Sequence, residues 1–285
     1  MRLLQCGDDG KLSLTKDLSG NSIPPYAILS HTWGLDSEEV TFKDLVEGTA
    51  EQKIGYRKLE FCIKEARRNE IQYCWVDTCC IDKSNADELQ ASINSMFRWY
   101  HDAAQCFVYL SDVAMIGGRS WDSSKSKSPW KEAFQNSRWF TRGWTLQELL
   151  APASVQFFSH EGKLLGDKGS LESEIHSITK IPTLALRTGA PFDQFNVDER
   201  LRWAGKRQTT REEDWAYCLL GIFGVFMPLL YGEGRDNAVR RLKKEINNTP
   251  KRQGLFLFPC FLQIGFILII NRMAPESLCL SIPRS

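Results

Sequence analysis

Three short stretches of this 285-residue chain concentrate the side chains able to do chemistry. Ser30-His31-Thr32-Trp33-Gly34 sets a hydroxyl and an imidazole beside an indole. Asp77-Thr78-Cys79-Cys80-Ile81-Asp82-Lys83 offers two carboxylates, two thiols and an ammonium, and Arg142-Gly143-Trp144-Thr145-Leu146-Gln147-Glu148 ends on a carboxyl. His31 can titrate near neutral pH or sit as a hydrogen-bonded structural residue. Asp77 and Asp82 can hold a substrate, yet acids in such places also cap and turn chains. Glu148 can act chemically, or simply complement a helix dipole or pair with Arg142. Trp33 and Trp144 read first as core aromatics, because Trp is highly buried on average. Two other chemistries find no support. Cys74, Cys79 and Cys80 lack paired C-x-x-C spacing and a nearby His, so they read as core thiols rather than a zinc site. His101, His160 and His176 are scattered, with no Ser or Cys partner to make a hydrolase triad.

These stretches need a frame that brings them together. Residues 26–30 (YAILS), 71–77 (IQYCWVD), 105–110 (QCFVYL) and 154–158 (SVQFF) are strand-like, being apolar and rich in β-branched or aromatic residues. Between them lie helical patterns over 54–68, 86–101, 143–150 and 170–179, with apolar residues three and four apart. Asn85 is placed to cap the second helix, and Glu88 to complete a capping box with it. The stretch 117–129 (GGRSWDSSKSKSP) is polar and patternless, hence a loop. Strands alternating with helices imply βαβ units, a parallel sheet and helices on both faces. In such sheets ligands bind beyond the carboxyl ends of the strands, where all three stretches fall.

Composition is that of a globular protein: 42% hydrophobic and 25% charged residues, with 36 Lys plus Arg against 35 Asp plus Glu. A net charge of +1 argues against a dedicated nucleic-acid binder. No secretory signal opens the chain, so the nine cysteines are expected to be reduced and the protein cytoplasmic. Residues 198–246 read as all-helical. Residues 254–270 (GLFLFPCFLQIGFILII) are nearly all apolar, about the lower limit of a membrane span. Pro259, Gln263 and Gly265 weaken a tail-anchor reading; a core segment or a displaced gene-model boundary are the alternatives, and the last is preferred. Contact with a membrane is expected only if this segment is real.

YAILSHTWG (26–34), WVDTCCIDK (75–83) and RGWTLQELLAP (142–152) resemble, in order, the three motif blocks of the HET (heterokaryon incompatibility) domain of filamentous fungi. EDWAYCLLGIFGVFMPLLYGEG (213–234) resembles the segment that follows that domain, with Trp215 where the family more often has Arg. The resemblance covers roughly residues 1–246. It implies a role in non-self recognition and programmed cell death, with self-association or other incompatibility proteins as partners. No Walker motif or WD repeat is present in the chain. A more distant resemblance is to TIR domains, whose sheet is flavodoxin-like. Trp144-Thr145-Leu146-Gln147-Glu148-Leu149 looks like their W-C-x-x-E-L, with Thr145 replacing Cys. In NAD-cleaving TIR domains that Glu is catalytic, and the resemblance carries this role to Glu148. Cleavage of the nicotinamide–ribose bond passes through an oxocarbenium-like state, which a carboxylate stabilises. Trp33 or Trp144 would then stack on a ring of the dinucleotide. Arg142, or Ser30 with His31, would meet the pyrophosphate, with Asp77 and Asp82 as further substrate contacts. No metal or resident cofactor is implied; NAD+ enters only as a substrate.

The expected organisation is a TIR- or flavodoxin-like α/β core over 1–180, a helical extension over 181–250 packed on it, and the apolar tail 251–285. Two function classes follow: an NAD+ glycohydrolase centred on Glu148, or a non-catalytic signalling module acting by self-association.

Overall fold

The computed structural model describes residues 1–7, 10–115, 129–187 and 192–249. Residues Met1–Lys251 form one compact unit. The apolar run 254–270 and nearly all of the loop 117–129 lie outside the described residues.

A seven-stranded sheet organises the unit: β1 (Leu4–Cys6), β2 (Leu12–Leu14), β3 (Tyr26–His31), β4 (Tyr73–Trp75), β5 (Gln105–Tyr109), β6 (Val155–Phe158) and β7 (Leu164–Asp167), in spatial order β2-β1-β4-β3-β5-β6-β7. The four strands read from sequence form its parallel centre, with β3 between β4 and β5 and β6 beyond β5. Taken in chain order these four run 2-1-3-4, the start of the doubly wound flavodoxin-like order. The sheet departs from the all-parallel expectation at both edges, where β1 pairs antiparallel with β2 and β4, and β7 with β6. These three antiparallel strands are three or four residues long and only partly buried, so they carry too little apolar pattern to be read locally. All six residues of β3 are buried, as befits the centre of a sheet covered on both faces.

Helices α1 (Phe42–Glu47) and α2 (Tyr56–Arg68) connect β3 to β4, and α3 (Ala86–Asp102) connects β4 to β5. Asn85 caps α3 by accepting from the Asp87 and Glu88 amides at 3.1 and 3.2 Å. Glu88 does not return the capping-box bond. Its carboxylate instead takes the Asp82 amide at 2.8 Å and a two-pronged Arg2 guanidinium at 2.6 and 2.8 Å. Successive residues of β4 face opposite sides: Cys74 meets Cys62 of α2, and Trp75 packs on Trp99 and Tyr100 of α3. Helices therefore cover both faces.

The connection from β5 to β6 carries α4 (Pro129–Gln135), a 3-10 turn at Arg138–Thr141 and α5 (Thr145–Leu150). Helices α6 (Glu172–Thr179), α7 (Thr183–Leu186), α8 (Val197–Ala204), α9 (Asp214–Tyr217), α10 (Leu220–Phe223) and α11 (Arg235–Asn248) follow. The stretch 198–246 is less helical than its apolar content suggests. Gly224 ends α10 at φ +65°, Pro228 follows, and Gly232 and Gly234 sit at φ +96° and +76°, so 224–234 is an extended loop. Helix α10 lies hard on α3: a Cβ placed on Gly221 would stand 2.0 Å from Phe97 Cβ.

Candidate functional site

Parallel strands that begin in register end together, so the tips of β3 and β4 set Ser30, His31 and Asp77 side by side. Ser30 is fully buried. Its hydroxyl donates to Glu148 Oε2 and accepts from the Trp139 indole N–H at 2.8 Å. Glu148 reaches this point because α5 crosses behind β3 with all six of its residues buried. The Tyr100 hydroxyl, which donates to Leu29 O at 3.0 Å, stands within hydrogen-bond reach of the same carboxyl.

Glu148 is 7% exposed, and burial pushes its carboxyl up to about 8. The negative charge of Asp77 reinforces the rise, while the Ser30 and Tyr100 hydroxyls and the Arg207 guanidinium oppose it. In this conformation Glu148 therefore holds its proton at neutral pH. A neutral acid donates a hydrogen bond but does not stabilise a developing cation.

A second acid sits one layer outward. Glu39 accepts from the Gly34 amide at 2.6 Å and from the Lys58 ammonium, and lies 3.6 Å from His31 Nε2. Burial alone would raise its carboxyl; His31, Lys58 and the Gly34 amide outweigh it and hold it at about 2. The His31 ring is thus flanked by Glu39 on one side and by Asp77 Oδ1, 4.0 Å away, on the other. Asp77 also accepts the Trp33 indole N–H at 3.0 Å. Trp33 is 39% exposed, with the Lys83 ammonium 3.7 Å from the centre of its ring. The Arg138 guanidinium donates to Trp33 O at 3.2 Å.

The structure thus gathers Ser30, His31, Trp33, Asp77 and Glu148 at one end of the sheet and leaves three expected residues elsewhere. Asp82 closes a turn, taking the Ser84 amide at 3.0 Å and the Ser84 hydroxyl at 2.6 Å. Arg142 points to Thr210 Oγ1 at 3.2 Å, not to Glu148. Trp144 donates to Asp214 at 3.2 Å. These two belong to the seam with the C-terminal helices, where Gly143 N donates to Gln208 O at 2.9 Å.

Sequence reasoning missed Glu39, Tyr100, Trp139 and Arg207. Tyr100 was visible only as the last apolar residue of a helical stripe. Glu39 and Arg207 carried no local signal, since each matters through residues far along the chain. Arg207 is buried against α5 and donates to Thr145 Oγ1 at 2.7 Å and Arg142 O at 2.8 Å.

A doubly wound sheet with an acid and a hydroxyl sealed at its switch point describes an architecture; the sequence blocks that build its site point to a family. Residues 26–120 match the family "Heterokaryon incompatibility protein (HET)". It is similar to the vegetative incompatibility protein HET-E-1 of Podospora anserina, with 57% identity over 246 residues. That alignment covers 86% of this chain but 18% of the relative, so the chain spans less than a fifth of its length. No solved structure matches. Among the described residues no helix is long and apolar enough to cross a membrane.

Proposed function

We propose that this chain is a HET effector module of fungal heterokaryon incompatibility, acting in non-self recognition and the programmed cell death that follows. The family match and the 57% identity to a vegetative incompatibility protein support the biological role. At the molecular level the proposal is a signalling module of the cytoplasm that works by association with copies of itself or with other incompatibility proteins. The observation that carries this is the closure around Glu148: its carboxyl is buried, neutral at physiological pH and engaged by Ser30. What the end of the sheet presents outward is instead Trp33, with Lys83 on its ring.

A second reading has its own observation. Glu148 and Ser30 lie at the carboxyl ends of the parallel strands beside the switch between β3 and β5, where doubly wound sheets bind ligands. In this reading assembly uncovers Glu148, water lowers its pKa, and the carboxylate supports TIR-like cleavage of NAD+. Induced expression of the full chain in a filamentous fungus, with viability and NAD+ followed together, separates the two. Death without NAD+ loss, retained by Glu148→Gln, supports the association module. Early NAD+ loss that Glu148→Gln abolishes supports the enzyme. Unimpaired growth at matched expression, alone and beside an incompatible strain, refutes the effector role itself.

A further inference from the structure

A buried charge with no counter-charge is costly, and Arg207 is one. It is 5% exposed, and although burial draws its guanidinium down to about 10, it remains protonated at neutral pH. Among the described residues its hydrogen bonds go to two uncharged oxygens, Arg142 O and Thr145 Oγ1, while Nη2 has no acceptor. The nearby Glu148 does not compensate it, being neutral itself. Native proteins rarely leave a buried guanidinium N–H without an acceptor.

Arg207 lines a groove of about 570 Å3 that does not include Glu148. A second orphan lines the same groove: Trp215, 9% exposed, whose indole N–H also lacks an acceptor. Across the groove Arg235 lies over the Trp215 ring at 4.4 Å and opens α11, a 14-residue helix whose positive end favours anions. Two residues that carry buried donors without acceptors, and Arg235 as a second cation, therefore line one space, and its volume is that of a small-molecule site. The opposite side of the groove is acidic. Glu233 is already engaged by Arg241 and the Tyr217 hydroxyl, whereas Glu212 and Asp236 are exposed and suited to hydroxyl donors. That pairing of cationic floor and acidic rim disfavours a polyanion and suits one phosphate carried on a polyhydroxylated body.

We propose that this groove is a binding site for a phosphorylated small molecule of nucleotide size, its phosphate received by Arg207, Trp215 Nε1 and Arg235 and its hydroxyls by Glu212 and Asp236. Neither Ser30 nor Glu148 lines this groove, and the proposal stands whether or not Glu148 is catalytic.

Titration calorimetry of the full chain with adenosine monophosphate, inorganic phosphate and adenosine tests it. Adenosine monophosphate should bind saturably, and adenosine at least about tenfold more weakly, equivalent to about 1.4 kcal/mol. Arg207→Lys and Arg235→Glu should each weaken the nucleotide by at least about tenfold. Arg235 is exposed, so its variant keeps the wild-type melting temperature and decides the matter if the Arg207 variant misfolds. Absence of saturable binding by both phosphate probes would overturn the proposal. So would adenosine binding as tightly as its monophosphate, or nucleotide binding indifferent to Arg235→Glu.

Discussion

Replacing Glu148 by Gln should change how stability depends on pH more than it changes stability itself. The amide keeps the volume of the carboxyl and can still bond Ser30, but it cannot titrate. In the wild type burial lifts the carboxyl from 4.5 to about 8. The native protein therefore retains a proton that the unfolded chain releases in that interval. The stability tied to that proton is present in full below pH 4.5 and is lost as pH rises through about 8. Each pH unit between those values is worth about 1.4 kcal/mol, so the whole interval is worth roughly 5 kcal/mol at most. Ionisation at the upper end opens an escape by local rearrangement, which makes about 2–4 kcal/mol the expected difference. Urea unfolding of both proteins from about pH 5 to about pH 8 reads it directly, because all other titrating groups cancel in the comparison. The Glu148→Gln variant should gain on the wild type steadily as pH rises. A difference constant to within about 0.5 kcal/mol over that range would refute the reasoning, and Glu148 would then be ionised and solvated.

Ser30→Ala leaves the Trp139 indole and the Glu148 carboxyl short of a partner in a buried place, and should cost about 1–3 kcal/mol in urea unfolding. Glu39→Gln should cost roughly 2 kcal/mol at neutral pH, the side chain being partly screened. Because Glu39 is held at about 2, the support it gives is present above pH 4.5 and fades as pH falls towards 2, so the variant and the wild type should converge in acid. Gly221→Ala forces a methyl against Phe97 and should lower the melting temperature by an amount equivalent to about 3 kcal/mol or more; an unchanged melting temperature would mean that α10 is not seated on α3.

What was legible in the sequence follows from how local each signal is. The strands over 26–31, 73–75, 105–109 and 155–158 announce themselves because both faces are buried and nearly every residue is apolar or aromatic. Helix α3 is equally plain, with Asn85 at its start and a stripe through Tyr100. The antiparallel strands are invisible, since β1, β2 and β7 exist through backbone bonds to neighbours and show only partial burial. The site divides in the same way. Ser30, His31, Trp33 and Asp77 could be placed because strand ends gather at one edge of a parallel sheet. Arg142 and Trp144 could not, because their partners Thr210 and Asp214 lie some seventy residues further on. The ionisation of Glu148 was likewise out of reach: burial decides it, and no short motif encodes burial.

The seam at Gly143 has a bearing on how such modules can be inherited or exchanged. Gln208 clasps the segment between Thr141 and Gly143, donating its backbone N–H to Thr141 O at 2.6 Å and accepting the Gly143 N–H at 2.9 Å, and any side chain at position 143 would strike Thr209, only 2.4 Å from where its Cβ would stand. The family signature at 26–120 and the sheet through β7 both end before this clasp is complete. A crossover or fusion joint falling between residues 143 and 208 would part the two halves of one fitted lock, joining a key from one parent to a ward from another. Shuffling between related genes is therefore expected to carry this stretch as a single cassette, with breakpoints outside it.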